Sequence, residues 1–208
     1  MIDFDEKKNY ELMKRIQDVI FSITALFILF PVFLIISFVI FIESPADPVI
    51  FSQRRVGKGG KQFVLYKFRT MCGDAEERLE TLKSSNEMDG PVFKIKDDPR
   101  ITRVGKFLRR SSLDELPQLI NVLFGDMSVV GPRPPLICEV EQYNAYHKQR
   151  LLVRPGLTCY WQVCHNKNSL SFDEWMKLDM KYIEERSFTL DWKLIFKTVG
   201  AMIRLEGM

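Results

Sequence analysis

VIFSITALFILFPVFLIISFVIFI, residues Val19 to Ile42, is the stretch from which the fold of this chain has to be read. Its 24 residues carry no charge, and only Ser22, Thr24 and Ser37 interrupt the apolar run. A straight α-helix of that length covers roughly 36 Å, enough for a hydrocarbon core about 30 Å thick. The run is too long for a signal-peptide core, and no persuasive cleavage site follows it. Two features complicate a simple span. Pro31 sits near the centre, where it removes one backbone hydrogen bond and favours a kink. Both flanks are basic as well, with Lys7, Lys8, Lys14 and Arg15 before the run and Arg54, Arg55, Lys58 and Lys61 after it. Positive flanks mark the cytoplasmic side, so a span receives conflicting instructions. A helix bent at Pro31 has halves of about 12 residues, each roughly 18 Å long, and could enter and leave by one face. These residues permit both a spanning and a re-entrant helix.

Outward from the run, ESPADP (Glu43 to Pro48) is a cluster of helix breakers. It separates an N-terminal membrane segment, 1–48, from a domain over 49–208. VIFSQ and QFVLYKF flank RRVGKGGK, which predicts a β-hairpin turning at Gly57, Gly59 and Gly60. Asp74 to Lys83 has helical composition, and Ser84 to Pro99 predicts a long loop over a site. Ile101 to Arg110 predicts a short basic amphipathic helix, and Leu136 to Val153 and Phe172 to Glu185 predict two more. The closing LDWKLIFKTVGAMIRL puts Trp192, Ile195, Phe196, Val199, Met202 and Ile203 on one stripe. That stripe suits either a core-facing helix or one lying in a membrane interface. The expected class is α+β, mainly helical.

The net charge of +3 is modest but unevenly spread. Phe51 to Thr70 holds six bases and no acid, and Pro91 to Arg110 holds seven bases against Asp97 and Asp98. Such clusters suit phosphates, anionic lipid or nucleic acid. No nucleic-acid motif accompanies them, and a nucleic-acid binder leaves the apolar run unexplained. Cys72, Cys138, Cys159 and Cys164 lack the spacing of a disulfide framework. Cys159, Cys164 and His165 lack the paired spacing of a zinc site, so free thiols in a reducing cytosol are expected.

SSLDELPQLINVLFGDMSVVGPRPP, Ser111 to Pro135, sets Asp114 beside Glu115 at the head of a second apolar run, just after Arg109 and Arg110. Ser112 and Glu115 fit a capping box. Pro117 opposes that register, because it would then fall just past the free amides of the first turn. A helix beginning nearer Asp114 tolerates Pro117 but gives up Ser112 as the cap. The same geometry also suits chemistry, since a helix N-terminus is a natural phosphate site. Side chains adjacent on a helix point about 100° apart, so two neighbouring acids can divide the work. One can attack phosphorus while the other holds a divalent metal, with Arg109, Arg110 and Arg133 offsetting charge.

KFRTM, DPRITRVGKFLRRSSLDELPQLINVLFGDMSVVGPRPP, RPGLT and WQV, in that order behind a basic hairpin, resemble the bacterial sugar transferase family, the monotopic phosphoglycosyl transferases. The likeness runs from near Lys14 almost to the C-terminus, and it implies the small catalytic-core form of the family. It also implies transfer of a sugar-1-phosphate from a UDP-sugar to a polyprenyl phosphate such as undecaprenyl phosphate. UMP leaves, and the product opens a surface glycan or glycoprotein pathway whose downstream glycosyltransferases are possible partners. By this resemblance Asp114 is the nucleophile, forming a phosphosugar-aspartyl intermediate, and Glu115 helps hold Mg²⁺. Arg109, Arg133 and Arg154 match arginines near the phosphates, Lys67 and Arg69 belong to a basic motif bordering the site, and Asp179 matches a family acid. The implied architecture is a re-entrant helix, with the catalytic domain on the cytoplasmic face of the bacterial inner membrane.

Three departures bear on those expectations. Phe30 stands before the mid-helix proline where small members often carry Ser. CHNKN follows WQV where many members have a small residue and then Gly-Arg-Asn, and Cys159 replaces the usual Gly after LT. The identity of the sugar therefore does not transfer from any relative. A membrane-anchored, non-catalytic adaptor would keep the apolar helix yet need neither Asp114 nor Glu115, and both acids are intact.

Overall fold

The computed structural model of the chain describes residues 8–95, 97–164 and 169–205. It is mainly helical, with two small two-stranded sheets. The first element, α1 (Lys8–Glu43), continues unbroken through Pro31. Over Asn9–Glu43 it is long and apolar enough to cross a membrane. One side lies along the rest of the protein, where Phe21, Leu26, Leu29, Phe33, Ile36 and Ile40 pack against Phe68, Leu108, Leu116 and Leu119. The other side leaves Ile20, Phe27, Phe30, Leu34, Phe38 and Phe41 exposed. Hence α1 buries a stripe against protein and offers an apolar face to its surroundings.

The helix ends at Glu43, where the breaker cluster begins. The hairpin follows as predicted, with β1 (Ile50–Val56) and β2 (Gln62–Phe68) antiparallel and in register from Ile50↔Phe68 to Val56↔Gln62. Side chains alternate across a strand, so Phe63, Leu65 and Lys67 share one face. Phe63 and Leu65 enter the main core with Val122, Val130, Ile183 and Leu194.

Between residues 74 and 85 the only α-helix is the single turn α2 (Leu79–Leu82). Helical composition is not enough there: Ala75 is the one buried residue in 74–83, and a short helix without a packing face is marginal. The loop after it folds around Asn86, whose carboxamide bonds Met88, Val92 and Lys94 backbone groups. Asp89 then accepts from the Phe172 N–H, which docks the loop on an aromatic cluster that includes Trp161 and Trp175. Lys96, within that loop, lies outside the described residues.

The predicted basic helix forms as α3 (Arg103–Ser111), capped by Thr102, whose hydroxyl accepts from the Gly105 N–H. After it come α4 (Gln118–Phe124) and β3 (Ser128–Val130). Leu136 to Val153 is not one helix. It breaks into α5 (Ile137–Glu141), α6 (Ala145–Lys148) and a 3-10 turn over Gln149–Leu152. The cause is Asn144, whose side chain accepts from the His147 N–H and starts a fresh helix there. β4 (Gly156–Thr158) pairs parallel with β3, a pair too short for sequence alternation to predict. Helix α7 (Phe172–Glu185) matches its expected bounds, with Ser171 and Glu174 forming a capping box. The last helix, α8 (Phe188–Ile203), splits the expected stripe: Ile195 joins Leu194 in the core, while Phe196, Val199 and Ile203 stay exposed.

Polar contacts fix α1 to this body. Lys14 pairs with Asp191 of α8 at 2.6 Å, and Asp18 accepts from the Val129 N–H at 3.0 Å. At the far end Glu43 accepts from the Val104 N–H at 3.1 Å.

Candidate active site

The site is assembled where α3, α4 and β2 meet. Ser112 takes a left-handed conformation (φ 55°), ends α3 and reverses the chain into a 3-10 turn over Leu113–Glu115. Pro117 then stands at the N-cap of α4, where its missing N–H costs nothing. Ser112 makes no side-chain cap, so the capping-box register fails, and Pro117 is the physical reason. Asp114 and Glu115 therefore occupy a tight turn of their own ahead of α4.

Two elements bring positive charge to that turn. Lys67, inward-facing on β2, places its Nζ 2.9 Å from Glu115 Oε1. The strand is held in place by Asn121 of α4, whose carboxamide accepts from the Tyr66 N–H and donates to the Val64 carbonyl. A single buried side chain thus fixes the lysine strand to the helix that follows the acids. From the other side, α3 approaches so closely that any side chain on Gly105 would strike the Thr70 carbonyl. Arg109, one turn further on, then donates from Nε to Thr70 Oγ1 at 2.9 Å.

Burial pushes the Asp114 carboxyl up to about 6, against the Lys67 and Arg109 charges and reinforced by Glu115. It remains mostly ionised at neutral pH. Burial also lowers Arg109, while Asp114 raises it.

A small open cleft lies beside Glu115. It is lined by Lys67, Arg133 and Arg55, with Gln118, Gln162 and Leu157 completing the wall. Arg55 is not among the expected site residues; the sequence offers it only as a basic flank of the apolar run and as one of the six bases in Phe51 to Thr70. Here it is buried, donates to the Pro134 carbonyl, and is pushed down to about 9 by burial and by the Arg133 charge. It stays protonated at neutral pH. The GPRP and RPG segments meet because Gly156 and Gly131 touch backbone to backbone, where any side chain would collide. The Gly156 N–H bonds the Pro132 carbonyl, which holds the loop carrying Arg133 against β4.

Asp179 stands behind this wall and not in it. It pairs with Arg150 at 2.6 Å, and Arg150 donates to the Arg133 carbonyl and to Tyr143 Oη. Burial raises the Asp179 carboxyl to about 6 against the Arg150 charge, so the pair is ionised at neutral pH. Glu139 adds a contact of 3.5 Å to Arg133. Arg69 and Arg154 sit apart from the acids. Arg69 donates to the Pro48 carbonyl and lies over the Phe51 ring. Arg154 donates to the Gly125 carbonyl at the opposite end of α4, where Arg15 bonds the Val122 and Leu123 carbonyls. His165, and with it most of CHNKN, lies outside the described residues.

Among the described residues no group of three or more His, Cys, Asp or Glu could hold a metal. Mg²⁺ needs less than that, since it keeps waters and commonly binds one or two carboxylates plus substrate phosphates. Glu115 meets this requirement. Its Oε1 is occupied by Lys67, and its second oxygen has no hydrogen bond among the described residues.

A tight acidic turn with bases on two sides of it therefore sits at the side of a long apolar helix. Residues 9–205 match the family described as Bacterial sugar transferase, and the chain belongs to that family. It is 45% identical over 203 residues to the galactosyl transferase CpsE of Streptococcus agalactiae, covering 97% of this chain and 44% of that protein. It is 38% identical over 205 residues to the undecaprenyl-phosphate galactose phosphotransferase of Salmonella typhimurium, covering 97% and 42%. With the exopolysaccharide production protein ExoY of Sinorhizobium fredii it shares 38% over 200 residues, 94% of this chain and 88% of that one. The chain thus spans less than half the length of the first two relatives.

Proposed function

We propose that this protein transfers a sugar-1-phosphate from a UDP-sugar to undecaprenyl phosphate or a similar polyprenyl phosphate, releasing UMP. The observation that carries the reading is the buried Asp114 next to Glu115, which lines a cleft together with Lys67, Arg55 and Arg133. The Asp114 carboxylate attacks the phosphorus bearing the sugar, and the bond from that phosphorus to the UMP oxygen breaks. An oxygen of the polyprenyl phosphate then attacks the same phosphorus, the Asp114–phosphorus bond breaks, and the carboxylate is restored. A carboxylate needs no separate base to act as nucleophile. Arg55, Lys67, Arg109 and Arg133 offset the charge that gathers on the phosphoryl oxygens. Glu115 would hold Mg²⁺, which would supply neutralisation of the charge on the leaving nucleotide.

The lipid acceptor implies a membrane location, and α1 supports one on a single face. Asp18 and Glu43 bond to the same folded body although they lie roughly 38 Å apart along the helix. In a simple span one of these contacts would sit beyond the bilayer, and the basic helix α3 would have to go with it. The reading is therefore re-entrant or shallow, with the catalytic residues on the cytoplasmic side of the bacterial inner membrane. An adaptor role would leave the cleft that Lys67, Arg133, Arg55 and Glu115 line together without purpose.

The test is UMP release from a panel of UDP-sugars with undecaprenyl phosphate and Mg²⁺, for the wild type and Asp114→Asn. Release from one sugar, lost in the variant and on adding EDTA, is expected. A folded wild type that releases UMP from none of them would overturn the proposal.

A further inference from the structure

The charged groups of the cleft account for phosphate and metal, but its wall also holds two neutral carboxamides, Gln118 and Gln162. Gln118 is 3% exposed, and among the described residues its side chain makes no hydrogen bond. Its carboxamide reaches solvent from the cleft wall, so a ligand that supplies both a donor and an acceptor can replace that water without leaving a hydrogen bond unmade. Gln162 differs in one useful way. Its Oε1 accepts from the Cys159 N–H at 3.1 Å, which fixes the carboxamide orientation and leaves the amino group free to donate.

Position decides which part of the donor Gln118 meets. It lines the same cleft as Glu115, three residues further along the chain, which sets it on the acidic side of that cleft. The group bonded to the phosphorus under attack is the transferred sugar. A sugar hydroxyl both donates and accepts, which matches an unpaired carboxamide, whereas a phosphate only accepts. Resting on the proposed reaction, we infer that Gln118 binds a ring hydroxyl of the transferred sugar, with the Gln162 amino group as a second donor, and so helps set which sugar is accepted.

The experiment compares wild type and Gln118→Leu in two measurements. In the first, UMP and the intact UDP-sugar are titrated onto each protein. UMP lacks the sugar, so its affinity is expected to be unchanged, which also shows that the variant is folded, while UDP-sugar affinity falls about 10-fold to 100-fold. In the second, kcat/KM is measured for the preferred UDP-sugar and for its single-deoxy analogues. One analogue is expected to be used equally by wild type and variant, because the hydroxyl that Gln118 binds is already gone. Equal loss of UMP and UDP-sugar affinity would place Gln118 on the nucleotide and overturn the inference. Losses that multiply for every deoxy analogue would overturn it too. Wild-type turnover with unchanged Gln118→Leu behaviour sinks this inference alone, whereas absence of wild-type turnover from any UDP-sugar sinks the proposed reaction together with it.

Discussion

Lys67 Nζ rests 2.9 Å from Glu115 Oε1, yet its charge also lowers Asp114, the buried acid next along the chain. One strand-borne ammonium therefore serves both carboxylates. In the wild type kcat/KM should fall as pH drops through about 6, the value to which burial pushes Asp114, because the protonated acid cannot attack. Lys67→Met removes an opposing charge, so the acidic limb should move to higher pH, with kcat/KM at pH 7 down by about 10-fold to 100-fold. A pH–rate profile of both proteins checks this. An unmoved limb would separate Lys67 from Asp114.

Asp114→Asn should abolish turnover, by at least about 1,000-fold, and at the same time stabilise the fold. A carboxyl raised from 3.8 to about 6 binds its proton more tightly in the folded state. The ionised form thus costs stability above pH 6, on the order of 3 kcal/mol, and the cost disappears as pH falls towards 4. Thermal melts should show the variant melting several degrees higher at pH 8, with the gap closing between about pH 6 and pH 4. A variant that melts lower at pH 8 would mean that burial is not what raises Asp114.

Much of this was legible in the sequence, and the exceptions have physical causes. The hairpin, α3 and α7 carry strong local signals in their glycines, their Thr102 and Ser171 caps and their periodicity, and they form where expected. The run 136–153 looked continuous because Asn144 reads as an ordinary polar residue until its side chain is seen capping α6. Lys67, Arg133 and Glu115, which the family motifs single out, line one cleft. Arg55 and Gln118 were invisible as cleft residues because only tertiary packing puts them beside Glu115. Arg154 and Asp179 were legible as motif members, but motifs do not say what a side chain touches. One holds the far end of α4, and the other holds Arg150.

That last placement makes a prediction about stability. Asp179→Asn leaves the buried Arg150 without its counter-charge, and such a loss costs about 3–5 kcal/mol. Replacing both, as Arg150→Met with Asp179→Leu, removes the stranded charge and should recover much of the melting temperature. Differential scanning fluorimetry of the three variants decides it. If Asp179→Asn melts like the wild type while turnover collapses, Asp179 acts on substrate and not through Arg150.

The two ends of α1 make the membrane arrangement testable without activity. With the natural cysteines replaced, single cysteines at Asn9 and Ser44 flank the apolar helix on either side. A spanning helix puts them on opposite faces of the membrane, so a membrane-impermeant maleimide added to sealed right-side-out vesicles would label one and spare the other. The contacts of Asp18 with Val129 and of Glu43 with Val104 tie both ends to one folded body. Neither position should therefore label in right-side-out vesicles, and both should label in inverted ones. Opposite labelling would require the Glu43–Val104 contact to break in the membrane, and α3 with its four bases would then have to be placed anew.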